Sequence, residues 1–410
     1  MSDRLDPLLR FHPFTRLNSL LAGIEPGAKP IQFSIGEPQQ TPPALIRPLL
    51  DRNLADWGRY PLAQGTPEFR AAAAAWLARR YKLPAGFVDP ERHLLPAAGS
   101  RQALFMIALA AVPETARGGG RPVVLLPNPF YHVYAGAAAV AGAEPVFLPA
   151  TAANGFLPEI EAIPQATLER TALAYVCSPA NPQGAVADAD YLMRWIELGR
   201  RHGFAVAFDE CYSEIYRRQP PAGALAAALA LGAGLEGVVC FHSLSKRSGA
   251  AGLRSGFTVG DERLIKRIQQ LVNYGGVAVP LPILAASTAL WQDERHVELN
   301  RAAYNENFAL ARRMLGNCGA WHEPPGGFFL WLDVGDGVAA ARRLWAEAGL
   351  RVLPGGYMAQ PGADGVNPGA AYIRVALVHE LAVTADGLTR LARVLESMSP
   401  QPASREAARA

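Results

Sequence analysis

Seven short apolar runs fall between residues 93 and 260, and stretches with helical spacing separate most of them. They are "HLLPAA" (93–98), "PVVLLP" (122–127), "PVFLP" (145–149), "ALAYVC" (172–177), "FAVAFD" (204–209), "VVCFHS" (238–243) and "SGFTVG" (255–260). Such continuous runs lack the in–out alternation of a sheet with one wet face, so they suit strands covered on both sides. Ahead of the first run, "TPEFRAAAAAWLARRY" (66–81) offers Thr66 as N-cap, Pro67 in the first turn and a basic last turn. "ADYLMRWIELGRRHG" (189–203) ends on Gly203, a natural C-cap. The expected fold is α/β, with a large, mostly parallel sheet sandwiched by helices.

Beyond about residue 285 the pattern changes. A long helix at 296–315 leads into "GFFLWLDV" (327–334), a helix at 337–349, "LRVLPGG" (350–356), "AYIRVALV" (371–378) and a closing helix. We therefore expect a large domain over 46–285 and a smaller α+β domain from 286–398 and the N-terminal segment 1–45. The tail 399–410 is expected to be disordered. A chain of 410 residues, half of them hydrophobic, has ample material for both cores.

Several function classes drop out. A net charge of +3 gives no footprint for nucleic acid or an anionic membrane surface. No apolar run reaches the ~18 residues of a membrane span, and the first residues lack a secretion signal's apolar core. Cys177, Cys211, Cys240 and Cys318 have no metal-like spacing and read as small buried hydrophobes of a reducing cytoplasm.

Lysine usage narrows the chemistry. Of 39 basic residues only four are lysines. Lys29, Lys82 and Lys266 sit in a loop, at a basic helix end and on a charged helical face. Lys246 stands in "FHSLSKRSGAAGLRSG" (241–256), a glycine-rich link between two apolar strands. An ammonium on a flexible stem changes its pKa when desolvated, which arginine does not.

Other polar residues gather in the same kind of loop, after a strand. "AAGSRQAL" puts Gly99, Ser100 and Arg101 at a helix start, where free amides bind an anion such as phosphate. "CSPANPQG" holds Asn181 between two prolines, and "FAVAFDECYSEIY" ends its strand on Asp209, with Tyr212 three residues on. A carboxylate there is costly unless paired. Ser243, Ser245, Lys246 and Arg254 can converge on one anion and one electrophile, and "NPFYHVY" (128–134) adds aromatic side chains. Each loop alone is also compatible with a plain turn or cap. Pyridoxal 5'-phosphate is the ligand that needs them all: a phosphate site, an amine for its aldehyde, a carboxylate for its ring nitrogen and an aromatic plate.

The order Asn181, Asp209-x-x-Tyr212, Ser243-x-Ser245-Lys246, Arg254, Arg374 resembles the fold-type I, class I/II aminotransferases. The resemblance runs from "SIGEP" (34–38) through "YPLAQGTPEFR" (60–70) and "PPGGFFLW" (324–331) to "YIRVALV" (372–378). It implies that Lys246 forms the Schiff base and shuttles the proton, and that Asp209 pairs with the ring nitrogen. Asn181 and Tyr212 would bond the ring's 3-oxygen, and Tyr131 would stack on the ring. The amides of Ser100 and Arg101, with Ser243, Ser245 and Arg254, would hold the phosphate. Arg374 would bind the substrate α-carboxylate, helped by the backbone of Gly36. Tyr60 would reach the phosphate held by a second subunit, which implies a homodimer. Arg101 stands where several relatives have lysine or glutamine, a change its backbone role survives.

For the substrate, "FHPFTRLNSLLAGIEPGAKPIQFSIGEPQQTPPALI" and "LPGGYMAQ" are most similar to bacterial N-succinyl-LL-2,6-diaminopimelate aminotransferases of lysine biosynthesis, which exchange an amine with glutamate and 2-oxoglutarate. Both amine carriers bear a carboxylate far from the reacting carbon, so a second cationic or amide-rich patch is expected at the mouth. Arg16 and Arg351 are candidates. Donors such as aspartate, alanine or acetylornithine remain open, as does a β-lyase or synthase outcome, because cofactor residues do not decide reaction type. A non-catalytic sensor on the same fold is the reading from another class.

Overall fold

The computed structural model describes residues 12–232, 234–316, 321–362 and 364–398. Cys318 and the 399–410 tail lie outside them. The described strands begin with β1 (Ile31–Gln32), β2 (Leu94–Ala97), β3 (Val123–Asn128), β4 (Glu144–Pro149), β5 (Thr171–Cys177) and β6 (Ala205–Asp209). They continue with β7 (Val238–Ser243), β8 (Gly256–Gly260), β9 (Phe329–Asp333), β10 (Leu350–Arg351), β11 (Leu353–Pro354) and β12 (Tyr372–Ala376).

All seven apolar runs become strands of one sheet, ordered β2-β8-β7-β6-β5-β3-β4. From β7 to β4 every pairing is parallel, while β8 runs antiparallel to both β7 and β2. The reason lies in the link that carries Lys246. Residues 244–255 hold only two short helical pieces, Leu244–Arg247 and Ala251–Leu253, and no full crossover helix, so the chain reverses and pairs antiparallel.

Helices cover both faces, and every residue of β6 and β7 is buried. One face packs Trp76, Leu77, Trp195, Phe208, Phe257 and Trp291. The other packs Leu104, Ile107, Leu126, Tyr134, Tyr175 and Phe241. The helix Pro67–Tyr81 starts as expected, with the Thr66 hydroxyl accepting from the Phe69 amide at 3.3 Å. The helix Ala189–His202 ends on Gly203 at φ +69°. Residue 285, where the sequence pattern changes, falls inside the helix Leu281–Gln292.

The later chain builds a second core of Phe308, Phe328, Leu332, Leu344, Val375 and Leu388. Its three-stranded antiparallel sheet is ordered β11-β12-β9. The stretch 350–356, read from sequence as one segment, divides in two: β10 pairs in parallel with β1, and β11 pairs with β12. The N-terminal segment joins this core, since the Phe33 amide donates to Arg351 O at 2.9 Å and Phe33 O accepts from the Ala376 amide at 2.8 Å. That pairing delivers residues 35–37 to the carboxyl ends of the large sheet's strands.

Candidate active site

The carboxyl ends of the parallel strands open into a cleft of about 490 Å³, the place where open α/β sheets bind ligands. Every residue given a cofactor or α-carboxylate role from the sequence lines it except Tyr60. A larger groove of about 570 Å³ at the amino ends of the strands contains none of them.

Lys246 sits on the one-turn helix Leu244–Arg247, whose start is capped by the Ser243 hydroxyl accepting from the Ser245 amide at 3.1 Å. Asn300, from the helix Arg295–Leu315, donates to the carbonyls of Lys246 at 2.9 Å and Arg247 at 3.0 Å. The lysine's backbone is thus fixed from a second element. Its ammonium donates to the Gly36 carbonyl, so the N-terminal segment meets the reactive group directly. Burial, reinforced by Arg374 and Arg254, pushes this amine down to about 8. Lys29, Lys82 and Lys266 are all exposed, and Lys266 pairs with Glu262 at 2.8 Å.

Asp209, the last residue of β6, is only 4 % exposed. Its Oδ1 accepts from the Cys211 amide at 3.2 Å, and its Oδ2 accepts from the Tyr134 hydroxyl at 2.6 Å. Burial raises its pKa, and those hydrogen bonds act the other way. Tyr212 is buried against Phe328 and Phe329, and no protein acceptor engages its hydroxyl among the described residues.

An anion site forms where the sequence placed one. Gly99 takes φ +80° ahead of the helix Ser100–Ala111, and no side chain caps that helix start. The Arg254 guanidinium lies against Gly99 so closely that an added Cβ would sit 2.3 Å from Nη2. Open amides and one guanidinium therefore share a corner with Ser243 and Ser245, whose hydroxyls lie 3.0 Å apart.

Arg374, on β12, crosses from the second core into the cleft. It donates to Asn181 Oδ1 at 2.9 Å and to Ser34 O at 2.6 Å, and it stacks on Phe329 with 4.3 Å to the ring centroid. Its buried Nε has no hydrogen-bond partner among the described residues. Burial pushes the guanidinium down to about 10. At Gly36 a Cβ would sit 2.6 Å from the Phe329 ring, so the backbone itself lines the cleft there.

Sequence reasoning missed four neighbours. Glu37 and His132 line the cleft, as does Phe14 from the helix Pro13–Leu21. Burial, with His12, Arg101 and Arg374 nearby, pushes His132 down to about 3, so its imidazole is neutral. Tyr134 was visible only as one aromatic of "NPFYHVY". The expected contributors Arg16 and Arg351 do not line the cleft. Arg16 stacks 3.9 Å from the Tyr357 ring centroid, and Arg351 bonds Asn18. Arg101 is exposed at the mouth, as are Ile35, Glu37 and Arg254, and its Nε donates to the Tyr131 hydroxyl at 3.0 Å.

A family model for aminotransferase class I and II matches residues 28–384. The chain belongs to that family, whose members depend on pyridoxal 5'-phosphate. Among its solved structures, an aminotransferase from Neisseria meningitidis superposes with a TM-score of 0.89 at 38 % identity, covering 95 % of this chain and 100 % of that one. A 4-dedimethylamino-4-oxo-anhydrotetracycline transaminase of Streptomyces rimosus is 32 % identical over 84 % of this chain and 88 % of its own length. An LL-diaminopimelate aminotransferase of Desulforudis audaxviator is 32 % identical over 83 % of this chain and 86 % of its own.

The residues present fit the cofactor. The uncapped helix start with Arg254 pressed on Gly99 suits a phosphate. Asp209 is a buried carboxylate bordering the cavity, and Lys246 is an amine with a lowered pKa beside it.

Proposed function

We propose that this aminotransferase transfers the amine of an amino acid carrying a second, distal carboxylate, with N-succinyl-LL-2,6-diaminopimelate as donor and glutamate/2-oxoglutarate as the exchanging pair. The observation that carries this reading is the Arg101 guanidinium. It lines the mouth, and among the described residues it has no acidic partner and only the one hydrogen bond to Tyr131. A planar fork with free donors suits a carboxylate.

The other residues take roles that follow from their surroundings. Asp209 holds the ring nitrogen, Asn181 and Tyr212 the 3-oxygen, and Tyr131 the ring face. The amides of Ser100 and Arg101, with Ser243, Ser245 and Arg254, hold the phosphate. Bound there, pyridoxal phosphate supplies an aldehyde for the amine and an electron sink for the Cα–H bond. Arg374 binds the α-carboxylate where its guanidinium lines the cleft, beside the backbone of Gly36. Lys246 Nζ takes the proton from Cα. A lowered pKa gives this amine a substantial neutral fraction near pH 8, as a base or nucleophile requires.

A second reading has LL-diaminopimelate itself as donor. Glu37 favours it: a carboxylate in the lining can take a distal ammonium while Arg101 takes the distal carboxylate. The two are separated by following the cofactor's visible band as each candidate amine is added. Fast conversion by succinyldiaminopimelate and glutamate, with slow conversion by alanine and aspartate, supports the first. Preference for LL-diaminopimelate, abolished in Glu37→Gln, supports the second. An aromatic or alanine preference removes both.

The working unit is a homodimer in this reading. Tyr60 is 98 % exposed and outside its own cleft, and Trp57 and Tyr274 are 51 % and 94 % exposed. Tyr60 then completes the phosphate site of the partner subunit. Light scattering reads the mass directly, and a monomer with full activity overturns the shared site. We place the enzyme in the cytoplasm, where the buried free thiols Cys177, Cys211 and Cys240 stay reduced.

A further inference from the structure

We propose that Tyr134 is a positioning residue that sets where the proton shared between Asp209 and the cofactor's ring nitrogen resides. The inference rests on the assignment of Asp209 to that nitrogen.

The geometry is specific. Tyr134 is 0 % exposed, and its hydroxyl donates to Asp209 Oδ2 at 2.6 Å. The ring is stacked on Tyr175 at 4.5 Å and 11°, and the Tyr175 hydroxyl donates to Leu104 O at 2.6 Å. Tyr131 meets it edge-on at 5.6 Å. The phenol is thus held in place by two aromatic neighbours, one of them tied to the helix Ser100–Ala111. Burial and the Asp209 carboxylate both push the Tyr134 hydroxyl well above 10, so it keeps its proton and acts as a donor.

A donor to one carboxylate oxygen stabilises the anion and lowers the basicity of the whole group. Among the described residues the other donor to Asp209 is Cys211, whose amide bonds Oδ1 at 3.2 Å and whose thiol also favours the anion. Without the phenol, a buried carboxylate gains proton affinity, because burial already favours its neutral form. The shared proton then shifts from the ring nitrogen toward Asp209. No bond to the phenol breaks in this account; its own proton stays on Tyr134 throughout. The nitrogen loses positive character, and with it the capacity to accept electron density from Cα.

The test is the ¹⁵N resonance of ring-labelled pyridoxal phosphate bound to the full-length enzyme. In Tyr134→Phe it moves toward the unprotonated position, and kcat falls about ten- to a hundredfold with little change in KM. A fluorinated tyrosine at 134, a stronger donor, moves it the opposite way. Tyr175→Phe cuts the link to Leu104 and leaves the resonance in place, which a general loosening of the core would not. If Asp209→Asn shifts the resonance and Tyr134→Phe does not, the inference is overturned and the Asp209 assignment stands. If neither shifts it, the Asp209 assignment fails as well.

Discussion

Asp209 and Glu210 are adjacent, both buried, and face opposite sides of the same sheet, as a strand's pleat dictates. Each receives one backbone amide and one tyrosine hydroxyl. For Asp209 these come from Cys211 and Tyr134, at 3.2 and 2.6 Å. For Glu210 they come from Ala224 and Tyr81, both at 2.7 Å. What differs is the space around them. Asp209 borders an open cleft shared with Lys246 and Arg374. Glu210 lies in packed aromatics, where His242 meets Trp76 at 5.0 Å between ring centroids. The 3.3 Å approach of His242 Nε2 to Glu210 Oε2 is no ion pair, because burial pushes that histidine down to about 3. Burial also pushes Glu210 up to about 7. A buried, hydrogen-bonded carboxylate is therefore common to a structural and a chemical position. Access to the cleft separates the two, since each has a cation nearby, Lys246 for Asp209 and Arg80 for Glu210.

The sharpest way to break this comparison is to neutralise each acid in turn. Asp209→Asn is expected to lose about a thousandfold or more in turnover, roughly 4 kcal/mol of transition-state stabilisation. Glu210→Gln, with equal burial, is expected to stay within about tenfold of wild type. Steady-state assays showing similar losses would remove the distinction.

Stability should show the reverse. Glu210 has its folded pKa raised from 4.5 to about 7. The native state therefore keeps a proton there that the unfolded chain has released. The sign follows from linkage: stability is full below the unfolded value and falls as pH rises through about 7. The loss is on the order of 3 kcal/mol by pH 8. Denaturant midpoints in Glu210→Gln should be flatter between pH 5 and 8 than in wild type. An unchanged slope would place the titration elsewhere.

Smaller effects sharpen the contrast. Arg374→Lys keeps the charge and loses the planar fork, so kcat/KM should fall about ten- to a hundredfold in both half-reactions, roughly 1.4–2.8 kcal/mol. A loss confined to the amino donor would argue against one shared carboxylate site. On the other face, Tyr81→Phe removes a donor from Glu210 and should cost about 1–3 kcal/mol of stability with turnover intact.

These expectations also mark what the sequence can and cannot disclose. The strands were legible because burial on both faces leaves long apolar runs, and the loop residues because they break those runs with amides, hydroxyls and one rare lysine. Asp209 stood out at the end of "FAVAFD". Glu210 did not, since nothing local shows which face of a strand end opens to a cavity. Tyr134 and Tyr81 lie 75 and 129 residues from the carboxylates they serve. Such partners are set by sheet order, and periodicity carries no trace of it. Arg16 and Arg351 were plausible by charge alone, whereas Arg101 lines the mouth because its helix starts there.

The central claim is that the cleft between Asp209 and Lys246 is where the cofactor is held and the chemistry runs. Borohydride fixes a carbonyl compound to the lysine that carries it, and peptide mapping then names that lysine. The account predicts a single labelled site, Lys246, with the visible band lost on reduction and absent from Lys246→Ala. Label on Lys29, Lys82 or Lys266, or an undiminished band in Lys246→Ala, would contradict it.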